Sequence, residues 1–340
     1  TMLCNAFSLQ ALDARRTNEG RLSTLMGVQV SADHLNDSVA NSVRSNFNLV
    51  AVQCDLASVT RPTGGHDFAP FDTQIEWANQ ADQKICLGPL VDFRPNRIPQ
   101  WLYMLDENFD SVLDTAIQHV NRCVSRYRGK VHLWNCASGL NVPNSMGWSD
   151  EEVLRMAVSL IETVRRSDDR SPVLLTIDQP WSEYLREDAT GISPLHFADA
   201  LIRADLGLSG LALELNFDCW PGCSFPRDSI ELSRLIDRWS MLGLPLMVVL
   251  SSPTVAAAPD DHSRVSSWHT TSSAGSLSAD TMLRLLISKP SVHAVIWNSN
   301  CGPSEPSGPN QRACSSLWNA QGSPLPLLDE IGSLRSSYLH

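Results

Sequence analysis

Five carboxylates stand where apolar stretches of strand length end: Asp55, Asp92, Asp178, Glu214 and Asp218. Two carboxyl groups facing each other across a pocket can divide a reaction between proton donor and base, once their surroundings separate their pKa values. Glu214 is the first candidate, because it stands near the C-terminal end of the apolar run 210–215. Asp55 or Asp92 would face it across the opening, and a pair that activates water tolerates a gap of ~6.5–9.5 Å. The competing reading is structural: Glu214 is held by Arg94 or another cation, while Asp55 and Asp218 cap or position loops. Ser251 and Ser252 also close an apolar run. No Gly-x-Ser-x-Gly elbow accompanies them, and His262 and His269 lie in a loop with no carboxylate to orient them.

Such groups need elements that bring them to one place. Apolar runs at 26–30, 49–54, 85–91, 131–136, 173–177, 210–215, 246–250 and 294–297 are rich in Val, Ile and Leu. Nearly continuous apolar character is expected of parallel strands covered on both faces. Helical patterns lie between them. The stretch 111–127 puts Val112, Ala116, Val120, Cys123 and Val124 on one face, and Ser149 with Glu152 forms a capping box before 153–166. Further amphipathic helices are expected at 229–242, 278–287 and 325–334. Eight such alternations predict one α/β domain over residues 1–340, a (β/α)8 TIM barrel. An open doubly wound sheet needs fewer units and usually a Gly-rich phosphate turn, which is missing here. In a barrel the strand C-termini ring the site. The long loops 251–276 and 298–315 would lie on that rim.

Composition narrows the partners. A net charge of −11 argues against nucleic acid, and no apolar run reaches the ~20 residues needed to span a bilayer. No Cys pair has a matching His or Cys pair at ligand spacing, so neither zinc nor any other cofactor is expected. Cys219 with Cys223, and Cys301 with Cys314, could pair in an oxidising compartment, whereas Cys54, Cys86, Cys123 and Cys136 read as buried thiols. The chain opens Thr1-Met2-Leu3 without a basic-then-apolar signal. That start fits a processed protein or a domain of a longer one.

The most informative stretch runs Tyr127-Arg128-Gly129-Lys130-Val131-His132-Leu133-Trp134-Asn135 and ends at Gly139. Tyr-x-Gly-Lys-Val-x-x-Trp resembles the approach to the acid/base strand of glycoside hydrolase family 10, the retaining xylanases. Other segments resemble that family in order: Asn46-Phe47-Asn48-Leu49-Val50, Trp77-Ala78, Pro99-Gln100-Trp101-Leu102, Gly243-Leu244-Pro245-Leu246 and Trp318-Asn319-Ala320. The resemblance implies a family 10 barrel whose catalysts would be two Glu residues. The acid/base position reads Gly139, preceded by Ser138 where the family has Asn, and the nucleophile position falls on Leu250. The family's second-strand Glu-Asn-Glu-Met-Lys becomes Gln53-Cys54-Asp55-Leu56-Ala57, its third-strand Trp and His become Asp92 and Arg94, and its sixth-strand Gln and His become Glu214 and Asn216. Trp297 on the last strand survives.

These departures imply a barrel without retaining xylanase chemistry that binds β-glycan or xylan-type polysaccharide. Trp297, Arg94, Gln53, Asn135, Asn216 and Asp178 would contact the sugar, with Trp220, Trp181 or Phe93 adding ring faces. An active hydrolase with relocated carboxylates, Glu214 with Asp55 or Asp92, is the alternative, and a structural or interaction barrel of a larger secreted protein is a third. The resemblance implies an extracellular or periplasmic location.

Overall fold

The computed structural model describes residues 2–340 except 33–34, 62–64, 95–96, 106–107, 144–145, 187–190, 218–223, 226, 252–277, 300–316 and 320–321. The described residues form ten strands: β1 Leu25–Gln29, β2 Leu49–Val52, β3 Lys84–Leu87, β4 Val91–Asp92, β5 Leu133–Asn135, β6 Ala137–Ser138, β7 Val173–Asp178, β8 Gly210–Asn216, β9 Leu246–Ser251 and β10 Val292–Asn298. Eight of them close a parallel barrel in the order β1, β2, β3, β5, β7, β8, β9, β10, with β10 returning to β1. The described helices are α1 Met2–Glu19, α2 Asp37–Asn46, α3 Leu56–Val59, α4 Ala69–Gln80, α5 Phe109–Tyr127, α6 Asp150–Ser167, α7 Pro194–Arg203, α8 Ser229–Ser240, α9 Ala279–Ser288 and α10 Pro326–Tyr338. The expected (β/α)8 barrel is therefore present.

Strand alternation sorts the apolar side chains into two cores. Leu49, Ala51, Cys86, Leu174, Ala212, Met247, Val249, Ala294 and Ile296 fill the barrel interior. Val50, Val52, Trp134, Leu213, Val248, Leu250 and Trp297 pack in the layer between barrel and helices. The interior is tight. A Cβ at Gly27 on β1 would lie 2.9 Å from side-chain carbons of both Leu49 and Ile296.

Two expected strands are broken. The run 85–91 splits into β3 and β4, and the run 131–136 ends early and continues as β6. The cause is close approach: a Cβ at Gly88, whose φ is +130°, would stand 2.1 Å from the Asn135 carbonyl oxygen. Past this crossing, Leu90 donates to that oxygen at 3.0 Å, and β4 pairs with β6 through Val91 opposite Ala137 and Asp92 opposite Ser138. The outcome is a two-stranded parallel extension outside the barrel.

Helix α1 has no counterpart among the expected elements. It packs on α8 and α9, and the Cys4 thiol donates to the Ser229 carbonyl oxygen at 3.6 Å. The predicted capping box is formed. Ser149 Oγ accepts from Glu152 N, and Ser149 N donates to Glu152 Oε2 at 2.8 Å.

At the C-terminus of α6, Asp168 ties that helix to β5. Its carboxylate accepts from Trp134 Nε1 at 2.9 Å and from the amides of Arg170 and Ser171 at 3.1 and 3.2 Å. Burial pushes this carboxyl up, but the Trp134 indole and Ser171 lead a larger downward pull that leaves it at about 2. A depressed folded pKa gives stability that is present above the unfolded value of about 4 and lost as pH falls through the folded value. Asp168→Asn should therefore lower stability at pH 7 by on the order of 2 kcal/mol. The difference from the parent should shrink between about pH 4 and 2, as read by urea unfolding at several pH values.

Candidate active site

The inward-facing positions change character at the C-terminal ends of the strands. Following Leu174, Ala212 and Val249 along their strands, the same parity brings Thr176 and Asp178, then Glu214 and Asn216, then Ser251 to the barrel mouth. Gln29, Gln53 and Asn135 complete the polar rim. Neighbours occupy most of these side chains. Gln29 Nε2 donates to Gln53 Oε1 at 2.9 Å, Gln53 Nε2 donates to Asp55 Oδ2 at 2.6 Å, and Asn135 Nδ2 donates to Thr176 Oγ1 at 2.8 Å. Asp55 also accepts from Ser58 N at 2.7 Å as the N-cap of α3. It is thus a capping residue, and the structure does not bring it into the Glu214 cluster.

Asp92, Asp178 and Glu214 do converge, on Arg94. The Asp92 carboxylate takes Arg94 Nη2 at 2.6 Å and Nε at 2.9 Å. Arg94 Nη1 reaches Glu214 Oε1 at 3.2 Å and Asp178 Oδ1 at 3.6 Å. One guanidinium therefore serves three buried carboxyl groups. The Glu214 carboxyl is pushed up first by burial and then by the charges of Asp178 and Asp92, against the pull of Arg94. Burial likewise raises Asp178, with Asp92 adding to it, while Arg94 and hydrogen bonds from Gly139 and Ser138 oppose.

Asp178 also fixes the loop after β6. Its Oδ2 accepts from Gly139 N at 2.8 Å and Ser138 Oγ at 3.1 Å. The Asn141 side chain brackets its backbone, accepting from Asp178 N at 2.9 Å and donating to Asp178 O at 2.8 Å. Asn141 was not among the expected site residues, since nothing in its neighbourhood of sequence marks it. Gly139 sits with φ +75°, and a Cβ there would lie 2.5 Å from Arg94 N and 2.7 Å from the Phe93 carbonyl carbon. Backbone fills the space that a side chain at 139 would need.

Several residues lie elsewhere than the sequence suggests. Leu250 is fully buried with the outer core and faces the helices. Its inward neighbours are Val249 and Ser251, neither of which is a carboxylate. Trp297 is 1% exposed and packs in the same outer layer, so its ring presents no open face. Parallel strands covered on both sides carry no alternation from which this parity could be read. Phe93 is also buried, edge-on to Trp148 at 4.9 Å between centroids. Trp181 is half-buried beneath the Arg227 guanidinium, 5.5 Å from its ring centroid. Trp220, Asp218, Cys219, Cys223, Ser252, His262, His269, Cys301 and Cys314 lie outside the described residues, as does nearly all of the two long loops. No group of three or more metal-ligating side chains suited to a metal ion occurs among the described residues. No helix among them is long and apolar enough to cross a membrane.

Comparison with known proteins agrees with this architecture. The model of glycosyl hydrolase family 10 matches residues 15–144. The native xylanase 10B of Thermotoga maritima superposes with a TM-score of 0.68 at 13% identity, covering 93% of this chain and 95% of that one. A family 10 xylanase of Thermobacillus composti gives 0.63 at 16% identity, with 92% and 96% covered. Xylanase 10B of Thermotoga petrophila RKU-1, solved with xylobiose, gives 0.65 at 14%, with 93% and 94% covered. No curated protein matches the chain in sequence.

Proposed function

We propose that this chain, which carries a glycosyl hydrolase family 10 barrel, binds a xylan-type β-glycan without cleaving it by the retaining route. The observation that supports this most is the filled space at Gly139. The family resemblance puts the proton donor there, and the Phe93–Arg94 backbone occupies the volume any such side chain would need. Retaining hydrolysis requires two carboxyl groups ~5–5.5 Å apart, one as nucleophile and one as donor. The strand expected to supply the nucleophile offers Val249, Leu250 and Ser251. Arg94, Asp178, Asn135, Gln53 and Asn216 are the polar groups such a glycan would meet at the mouth. By the same family reasoning, the glycan would be met outside the cell or in the periplasm.

A second reading has its own support. Glu214 is buried and pushed up in pKa, the condition a general acid needs, and Asp92 stands on the other side of the shared Arg94. Sedimentation with insoluble xylan and a reducing-sugar assay separate the two. The lead reading expects the protein in the pellet and no sugar released. Release that falls at least ~100-fold in Glu214→Gln would instead establish relocated catalysis. Neither retention nor release would leave a barrel that serves as a structural or interaction module of a larger secreted protein.

A further inference from the structure

A cavity of about 410 Å³ opens on the flank of the barrel, between α3 with the loop that follows it, the short 3-10 helix Gln100–Leu105 and the middle of α5. None of the residues at the barrel mouth lines it, so a glycan bound at the mouth makes no use of it. The described residues that line it include Arg61, Arg122, His66 and His119, and no carboxylate is among them. In a chain of net charge −11 that is the reverse of the prevailing surface. The cavity is a basic hollow on an acidic protein.

Its two guanidinium groups are not equivalent. Arg61 is neutralised by Asp67, whose Oδ2 takes its Nη2 at 2.9 Å. Arg122 has no carboxylate partner among the described residues, and its Nη1 instead stands 2.8 Å from His66 Nε2. The His66 ring is held in turn against Phe68, with centroids 6.2 Å apart and planes 9° from parallel. Burial, followed by the Arg122 charge, keeps His66 below its usual range, so the imidazole is neutral at pH 7 and leaves Arg122 uncompensated. A planar guanidinium in this condition suits a carboxylate, which its fork of N–H donors can grip with two hydrogen bonds. The rest of the space is apolar. Trp101 lines it while 36% exposed, and the buried Leu56 lines it as well. Apolar walls with a few placed polar groups, in a volume of this order, are the usual make-up of a small-ligand site.

We propose that this cavity is a second binding site, which takes a carboxylate carried on a ring with an apolar face, as in a uronic acid or an aryl carboxylate. The carboxylate sits on Arg122 beside His66, and the ring lies against Trp101 and Leu56. Each half of the ligand answers one half of the lining: a neutral ring leaves Arg122 without a counter-charge, and a bare anion leaves Trp101 in water. The site does not depend on what the mouth binds, because the two share no residue.

The test titrates the folded chain with sodium glucuronate and with sodium benzoate, each against its neutral counterpart, glucose or benzyl alcohol, and follows binding by ligand-observed NMR. At least one carboxylate should bind at least ~10-fold more tightly than its neutral counterpart, the worth of one hydrogen bond to a charged group. Arg122→Met should abolish that difference, and Trp101→Ala should weaken the carboxylate several-fold. Both side chains are exposed, so neither change threatens the core. Tighter binding of glucuronate would identify an acidic sugar as the ligand, and tighter binding of benzoate an aromatic acid. Absence of binding by both carboxylates, or equal binding of each with its neutral counterpart, would overturn the proposal in the wild-type protein without recourse to a variant. Carboxylate binding that survives Arg122→Met unchanged would also overturn it, by placing the anion on another cation such as Arg94.

Discussion

Gly139→Glu is expected to destabilise the protein by about 2–5 kcal/mol and to produce no xylan hydrolysis, although it places a carboxylate where the resemblance to glycosyl hydrolase family 10 would put the acid. Two costs add. The left-handed backbone at φ +75° penalises any residue with a Cβ, and that Cβ would meet Arg94 N and the Phe93 carbonyl carbon well inside contact distance. Relief requires the backbone at 93–94 to move, and this segment is held by the Phe93 amide donating to Ser138 O at 3.0 Å and by the Arg94 ion pairs. Urea unfolding reads the first effect and a reducing-sugar assay the second. A variant as stable as the parent would show that the segment yields easily, and measurable xylan cleavage would show that the mouth had needed only that carboxylate.

Arg94→Met is expected to have the largest effect of any single change at the mouth. It removes the cation shared by Asp92, Asp178 and Glu214 and leaves buried carboxylates uncompensated, at a cost of about 3–5 kcal/mol at pH 7. The cost should depend on pH. Burial raises Glu214 and Asp178 in the folded protein even with Arg94 present. The folded state therefore holds those protons more tightly than the unfolded chain, and stability falls as pH rises from about 4 through the raised values. Without the guanidinium that window extends upward, because the main downward pull on both groups is gone. The variant should recover much of its deficit near pH 5, where the carboxyls can be neutral. An equal deficit at pH 5 and pH 8 would mean that packing of the Arg94 side chain, and not its charge, is what the fold requires.

The barrel was legible because runs such as 246–250 are apolar on both faces, and only parallel strands sheathed by helices use that pattern repeatedly. The convergence of strand-end carboxylates was legible for the same reason, since a barrel gathers its strand C-termini. The sequence leaves Glu214 either a catalyst or a partner of Arg94, and the ion pair with Arg94 is formed. The same doubly apolar pattern hides which way each residue points. Leu250 and Trp297 face outward, whereas Val249 and Ser251 face the mouth, and no polar alternation distinguishes them. The break between β3 and β4 escaped as well. It arises from Gly88 passing close to the Asn135 carbonyl oxygen, a contact between positions 47 residues apart that no local pattern encodes. Asn141 escaped for a related reason, because its importance lies in bracketing the backbone of a residue one strand away.

The small ladder between β4 and β6 has a consequence for how such a barrel can change over generations. By pairing Val91 with Ala137 and Asp92 with Ser138, it presses the next two residues, Phe93 and Arg94, onto Gly139. In a barrel built this way, a new side chain at 139 is rejected until the ladder loosens. Loosening the ladder first would expose the charged cluster it helps to hold. The order of substitutions at the mouth therefore matters more than their number, and the two-residue ladder works as a ratchet on change at position 139.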